Sequence, residues 1–331
     1  MIFLRGVMNQ RIIGVDIGGT KCAISLGMIN EAGVSLVDKI IFGTASFACV
    51  DKVIDEIKSS IKKIINQNAL REENINAIGI SCGGPLDARA GVILSPPNLI
   101  GWDNIAIVQI LKESFNVPVK LQNDANACTL AEWRFGAARA YENAVFLTFG
   151  TGLGAGMILN GKLYSGSNDM AGEVGHIRLA SFGPVGYGKM GSFEGFCSGG
   201  GIAQLAKSKV YEKFQRGQSV SFCSDITALE ALDARLVADA AREGDLLAKE
   251  IFALSGESLG QGLAILIDML NPQVIVIGGI FTRCRQLLWP SAQAVLQREC
   301  LASSLSVCQI VPAELGDNVG DFAALAVALN D

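Results

Sequence analysis

Histidine is almost missing from this 331-residue chain, which has one, His176. A lone histidine is more often a satisfied structural residue than a ligand. The nine cysteines are odd in number and include no CxxC pair. Scattered over apolar segments, they read as buried free thiols. That excludes a disulfide scaffold and points to a reducing, cytoplasmic compartment. A basic stripe is also lacking. The 27 Lys and Arg are mixed among 32 Asp and Glu, for a net charge of −5, which argues against nucleic acid as a partner and reads as ordinary solubility. No apolar run reaches membrane-spanning length, and "MIFLRGV" is too short for a secretory signal. Met8 opens "MNQRIIGVDIGG", which enters a strand at once, so residues 1–7 read as a start-site extension.

What is present is core. Half of the residues are hydrophobic, enough for a large interior divided over two domains. Strands are expected at Ile12 to Asp16, Cys22 to Met28 and Val34 to Phe42, with the "NEAG" turn between the last two. Val50, Val53, Ile54, Ile57, Ile61, Ile64 and Ile65 recur at helical spacing. Further strands are expected at Ile75 to Ser81 and Val117 to Leu121, then a helix from Asp124 to Phe135. The second half restarts the pattern: "NAVFLTFGTGLGAGMILNGKLY" holds a strand, a glycine turn, a strand and an Asn-Gly hairpin turn. Long helices follow, including Ser255 to Leu270, then the strand Val274 to Ile277 and a last helix through "DFAALAVAL". The expected architecture is α/β with duplicated βββαβαβα-type domains, 1–138 and 139–331, two lobes with a central cleft.

Two glycine turns, "DIGGT" and "FGTGLGAG", each follow a buried strand. Glycine lets backbone N–H groups approach an anion closely, although each turn alone is more often a structural hairpin. Neither matches the Walker pattern or a dinucleotide fingerprint. At equivalent places in both halves, they could clamp one polyphosphate. Gly19 would then need to lack a side chain because a Cβ would crowd the phosphate. Asp16, where strand meets turn, is either a turn cap or an indirect, water-mediated contact to Mg²⁺. "LQNDANA" puts Asn123 and Asp124 at a strand end, where Asp124 is either a helix N-cap or a general base. "MAGEVGHIRL" and "SFEGFCSGGG" supply Glu173, His176 and Glu194, and "SPPNLIGW" puts Asn98 on a loop.

Eight stretches occur in order: "GVDIGGTK", "GGPLD", "PNLIGW", "NDANA", "GTGLGAG", "AGEVGH", "FEGFCSGG" and "IGG". Together they resemble the ROK family of bacterial sugar kinases and sugar-responsive repressors, in the actin/hexokinase-like (ribonuclease H-like) superfamily. The resemblance implies ATP with Mg²⁺ as the cofactor. Asp16, Gly18, Gly19, Thr20, Lys21, Gly150, Thr151 and Gly152 would lie at its phosphates, and Gly278 and Gly279 near its adenosine. It implies a hexose held by Asn98, Asn123, Asp124, Glu173, His176 and Glu194, with Asp124 as the base. It also implies a homodimer.

The expected activity is glucokinase-like phosphorylation of a hexose at C6. The alternatives are an N-acetylglucosamine or N-acetylmannosamine kinase, or a non-catalytic sugar-sensing regulator. Family repressors carry a DNA-binding module before the first strand, where this chain has about a dozen residues. The family also has a zinc site formed by the motif histidine and a CxCGxxGC run. Here that run reads "VGYGKMGS", with Val185, Tyr187 and Ser192 at the cysteine positions, and zinc ligation looks lost. Apolar packing by Val185, Met190 and Phe193 is the expected substitute. Elemental analysis of the purified protein is therefore expected to find no stoichiometric zinc. About one zinc per chain, with activity lost on its selective removal, would overturn this.

Overall fold

The computed structural model describes residues 10–30 and 33–330. The 1–7 extension and the middle of the "NEAG" turn lie outside them. The first sheet opens with β1 (Gln10–Ile17), β2 (Lys21–Asn30) and β3 (Gly33–Gly43) as an antiparallel meander. Helix α1 (Val50–Gln67) follows, its isoleucine face buried. Next come β4 (Ala77–Cys82), a small hairpin of β5 (Leu86–Asp87) and β6 (Val92–Ile93), α2 (Ile107–Phe115), β7 (Val119–Asn123) and α3 (Asp124–Phe135). The strand order is β3-β2-β1-β4-β7, with β1, β4 and β7 parallel. All six residues of β4 are buried, as expected of a central strand covered on both faces.

The second sheet repeats that plan. It contains β8 (Ala144–Phe149), β9 (Leu153–Leu159), β10 (Lys162–Leu163), β13 (Val274–Ile277) and β14 (Gln309–Pro312), in the order β10-β9-β8-β13-β14. Between β10 and β13 lie the hairpin β11 (Val185–Gly186) and β12 (Lys189–Met190), then α4 (Phe193–Phe196), α5 (Gly199–Gln215), α6 (Ala234–Glu243) and α7 (Leu246–Leu270). Helices α8 (Ile280–Glu299) and α9 (Ala302–Val307) precede β14, and α10 (Val319–Ala328) ends the fold. Both halves are thus the expected three-stranded meander extended by parallel strands.

The chain divides into two compact units. One comprises Met1–Tyr141, Gly156–Ala171 and Glu314–Asp331, the other Glu142–Ala155 and Gly172–Ala313. This division is discontinuous, where the sequence reading ran 1–138 and 139–331. For Glu314–Asp331 the reason is α10, which packs on β1, β4 and α3 of the first unit. Gly14 and Gly79 are register partners on β1 and β4. A Cβ at Gly79 would overlap the Ala324 carbonyl oxygen and the Ala328 nitrogen, and one at Gly14 would lie 3.0 Å from the Ala324 Cβ. Glycines below and alanines above let backbone lie nearly on backbone.

Two buried or half-apolar features differ from the sequence expectation. Helix α7 has 25 residues and, by length and composition alone, is apolar enough to cross a membrane. Ser255, Gly256, Glu257, Ser258, Gly260 and Gln261 interrupt its apolar residues, which hid that length. Two thirds of its apolar window is buried, so it reads as a core helix. All nine cysteines are free, but only five are buried, and Cys49 is exposed.

Gly79→Ala is expected to destabilise the protein by about 1–3 kcal/mol or more, because backbone atoms on both sides block relaxation. Gly83→Ala, with nothing within 4 Å of the added Cβ, should be nearly neutral. Urea denaturation of the two variants checks this, and equal midpoints would refute the close-contact account.

Candidate active site

In the first unit, the parallel strands β1, β4 and β7 end side by side, with Asp16 paired in register to Ser81 and Cys82 to Asn123. The carboxyl ends of such strands are where open α/β sheets bind ligands. Asn123 is the N-cap of α3, its Oδ1 accepting from the Ala125 N–H at 2.9 Å. Asp124 is therefore not the N-cap. It is the first helical residue, and its Oδ1 also accepts from the Ala125 N–H, at 2.8 Å. Its other oxygen has no partner among the described residues. With Oδ1 of Asn123 occupied, the Nδ2 group is what that residue can offer a ligand.

Asp16 sits at the end of β1, half-buried, its carboxylate hydrogen-bonded to Ser81. Burial first, then the charges of Asp124 and Asp321, push its pKa up to about 6. Asp124 is an exposed residue, yet the surrounding protein raises its pKa by desolvation as well. Asp321 opens α10 and is ion-paired to Lys39 at 2.5 Å. It is a member of this carboxylate group that the sequence reading missed. The available signal was an acid leading an otherwise apolar "DFAALAVAL" helix. Nearby, burial first, then the charges of Asp124 and Asp16, raise the pKa of the Cys82 thiol.

The "DIGGT" turn is a tight β1–β2 connection closed by Gly18 N–H to the Lys21 carbonyl at 3.0 Å. Thr44 braces it, donating its hydroxyl to the Gly18 carbonyl at 2.6 Å. Gly19, Thr20 and Lys21 are exposed at the tip. Glycine at position 19 has a reason besides the expected one. A Cβ there would overlap the carbonyl oxygen of Asn98, so the protein's own backbone already requires glycine. The Asn98 loop is pinned by the buried side chains of Leu99 and Trp102, which leaves Asn98 itself exposed.

In the second unit, the Gly150–Gly152 turn is closed by Gly150 N–H to the Gly152 carbonyl at 3.0 Å. It is tied to α5 by Gly199 N–H to the Gly150 carbonyl at 2.8 Å. Gly279, at φ +64, approaches the same turn so closely that a Cβ would overlap the Phe149 carbonyl. Gly278 is bonded through its N–H to the Leu147 carbonyl at 2.9 Å. The glycines expected at the second phosphate turn and at the adenosine thus gather in one place. Beside Gly150, a Cβ would meet nothing within 4 Å, so space remains for a phosphate to approach backbone. In the first unit, Asp16 is a carboxylate pressed by two others, which suits a cation. Each unit by itself thus carries groups whose chemistry fits a part of MgATP.

Glu194 reaches back to the same turn, with Oε2 accepting from the Leu153 N–H at 2.9 Å. Its Oε1 has no partner among the described residues. Glu173 and His176 are exposed on and beside a one-turn 3-10 helix, Val174–His176. The 185–192 loop is a hairpin, with Val185 paired to Met190 and Gly186 to Lys189. The expected apolar packing holds only for Phe193, which is fully buried. Val185 and Met190 are 43% and 45% exposed. Hydrogen bonds order the loop instead. Arg178 donates to the Met190 carbonyl at 2.6 Å and Lys189 to the His176 carbonyl at 2.7 Å. Gln204 bonds both the N–H and the carbonyl of Val185 at 2.9 Å. Ser192, at the third cysteine position, caps α4 by accepting from Gly195 N–H at 3.1 Å, and α4 carries Glu194. Tyr187 presents its ring edge-on to His176, with centroids 6.4 Å apart.

Two sheets of identical strand order, each ending in a glycine turn beside acidic or polar groups, define an actin-like α/β protein. The ROK family model matches residues 12–331, and the chain belongs to that family. It is 28% identical to the glucokinase of Thermotoga maritima over 318 residues, 96% of each chain. It superposes on a ROK family glucokinase from Streptomyces griseus, solved in complex with glucose and AMPPNP, with a TM-score of 0.72 and 26% identity, covering 97% of this chain and 99% of the other. It is also 30% identical to the DNA-binding transcriptional dual regulator NagC of Escherichia coli, over 80% of this chain and 63% of the regulator.

The raised pKa of Asp16 has a consequence for stability. A carboxyl at about 6 when folded, against an ordinary 3.8, binds its proton more tightly in the folded state. Stability therefore falls as pH rises from about 4 to 6, and the full penalty persists above that window. Without nucleotide or divalent metal, Asp16→Asn is expected to be more stable than the parent by about 1–3 kcal/mol at pH 7.5, since each pKa unit corresponds to ~1.4 kcal/mol. The gain should vanish near pH 4. Urea melts across that range check it, and a pH-independent difference would refute it.

Proposed function

We propose that this chain is an ATP-dependent sugar kinase that transfers the γ-phosphoryl group to the C6 hydroxyl of a hexose, glucose first among the candidates. The observation that carries the reading is Asp124. Asn123 has taken over the helix cap, one oxygen of Asp124 is left without a partner among the described residues, and desolvation by the surrounding protein raises its affinity for a proton. These are the attributes of a base poised to take a hydroxyl proton. The resemblance to glucokinases over nearly the whole chain supports the same reading.

MgATP, when bound, supplies the phosphoryl group and neutralises its developing charge. The turns Gly18–Lys21 and Gly150–Gly152 face its phosphates, Gly278 and Gly279 its adenosine, and Asp16 contacts Mg²⁺ through water. Asn98, the Nδ2 of Asn123, Glu173, His176 and the free Oε1 of Glu194 hold sugar hydroxyls. Asp124 takes the C6 hydroxyl proton as the oxygen attacks phosphorus. In this reading the protein acts chiefly by positioning its reactants and excluding water. The cytoplasm is the compartment and a homodimer the assembly we infer.

A second reading, a sugar-sensing regulator without catalysis, is favoured by the likeness to NagC. Release of ADP in a coupled assay over a panel of glucose, mannose, N-acetylglucosamine and N-acetylmannosamine separates the two and names the sugar. For the best substrate, Asp124→Asn should retain sugar binding and lose about 10²-fold or more in kcat. A near-normal kcat would remove Asp124 from the mechanism, and ADP release with none of the sugars would favour the regulator.

A further inference from the structure

A cavity of about 560 Å³ opens in the first unit, lined by residues that include Arg89, Lys120, Gln122, Tyr164, Ser165 and Asp169. None of them is assigned above to sugar or nucleotide. Asp169 is its acid, and Oδ2 of that residue already accepts from the Ala88 N–H at 2.8 Å. Lys120 donates one N–H to the Asn330 carbonyl, which leaves two. Arg89 is exposed and has no hydrogen bond or ion pair among the described residues. Gln122 is only 7% exposed. Its Oε1 accepts from the Asn123 N–H at 2.9 Å and from Asn126 Nδ2 at 3.2 Å. Its own Nε2 hydrogens have no partner among the described residues. With no partner in the protein, this amide nitrogen at the cavity is free to donate to an acceptor, and the two cations that also line the cavity suit an anionic one.

We propose that this cavity is a regulatory site for a small phosphomonoester. A guanidinium, an ammonium and a carboxamide lining one cavity suit the three terminal oxygens of a phosphate. The volume exceeds that of a bare anion and leaves room for a short polyol, with the hydroxyls of Tyr164 and Ser165 as partners. Gln122 is the link to the proposed base. The carboxamide that meets the ligand through Nε2 holds the Asn123 backbone through Oε1, and Asn123 caps the helix that begins at Asp124. A negative oxygen on Nε2 polarises the carboxamide and strengthens its grip on Asn123. Ligand binding rests on the cavity alone, whereas its effect on turnover rests on the kinase reading.

The test uses the full chain and two probes, glycerol 3-phosphate and inorganic phosphate, titrated by calorimetry without nucleotide or sugar. Two variants are informative. Arg89→Gln removes an exposed cation, and Gln122→Glu keeps the acceptor oxygen while replacing the free donor with negative charge. Saturable binding of the ester is expected, weakened at least about tenfold in each variant, the loss of one charge-assisted hydrogen bond. Binding undiminished in Arg89→Gln, or none up to about 10 mM, a free energy near −2.7 kcal/mol, would overturn the proposal. Equal affinity for inorganic phosphate would overturn the ester assignment. In the ADP-release assay, the ester should change the rate of the parent, while Arg89→Gln keeps its basal rate and loses the response. Binding with an unchanged rate would overturn the regulatory role. Binding in a chain that phosphorylates no sugar would overturn the kinase reading and leave the site standing.

Discussion

The close approach of α10 to β1 and β4 is the contact on which much of the rest depends. It is made possible by what is missing, side chains at Gly14 and Gly79. Helix and sheet usually meet through interdigitating side chains. Here a run of alanines and one leucine lies against glycine, and the first turn of the helix is thereby carried to the end of β1. Gly320 and Asp321 arrive beside Asp16 as a result. Any substitution that lifts α10 would move a carboxylate as well as open a void.

Three carboxylates near one strand end are a local violation of good electrostatics. Asp321 is partly relieved by Lys39. Asp16 has Ser81 and the more distant charge of Lys21, and Asp124 has backbone N–H groups only. Such arrangements persist where a site needs negative charge that is not already satisfied. The second unit handles its acid differently. One oxygen of Glu194 is fastened to the backbone at Leu153, which orients the carboxylate and leaves the other oxygen for a ligand.

Much of this was legible in the sequence, for physical reasons. Strands β1, β4 and β13 are continuous apolar runs because both faces are covered, and α3 begins at Asp124 as "QND" implies. What escaped was long-range. Nothing local says that the final helix belongs with the first sheet, or that glycine at position 19 answers to the carbonyl of Asn98. The 185–192 loop was read for what it lost. Its replacement, backbone bonds from Arg178, Lys189 and Gln204, leaves no pattern of hydrophobicity or spacing. Gln122 was passed over because a glutamine beside Asn-Asp is unremarkable until its cavity is seen.

Glu132 is a case where position in the chain becomes timing. Its carboxylate is fully buried in α3 and accepts from the Ala137 N–H at 2.8 Å. It also accepts from the N–H groups of Glu314 at 3.3 Å and Leu315 at 2.9 Å, 182 and 183 residues later. A growing chain emerges amino end first. When the sheet strands that open this protein have left the ribosome, Glu132 has one of its three donors, and α10 does not yet exist. The unit that is begun first is therefore the last to be completed, after the whole of the second unit has been made. Until then its glycine-floored sheet face and a half-satisfied carboxylate stand open to solvent, and that interval is where a chaperone would have most to protect.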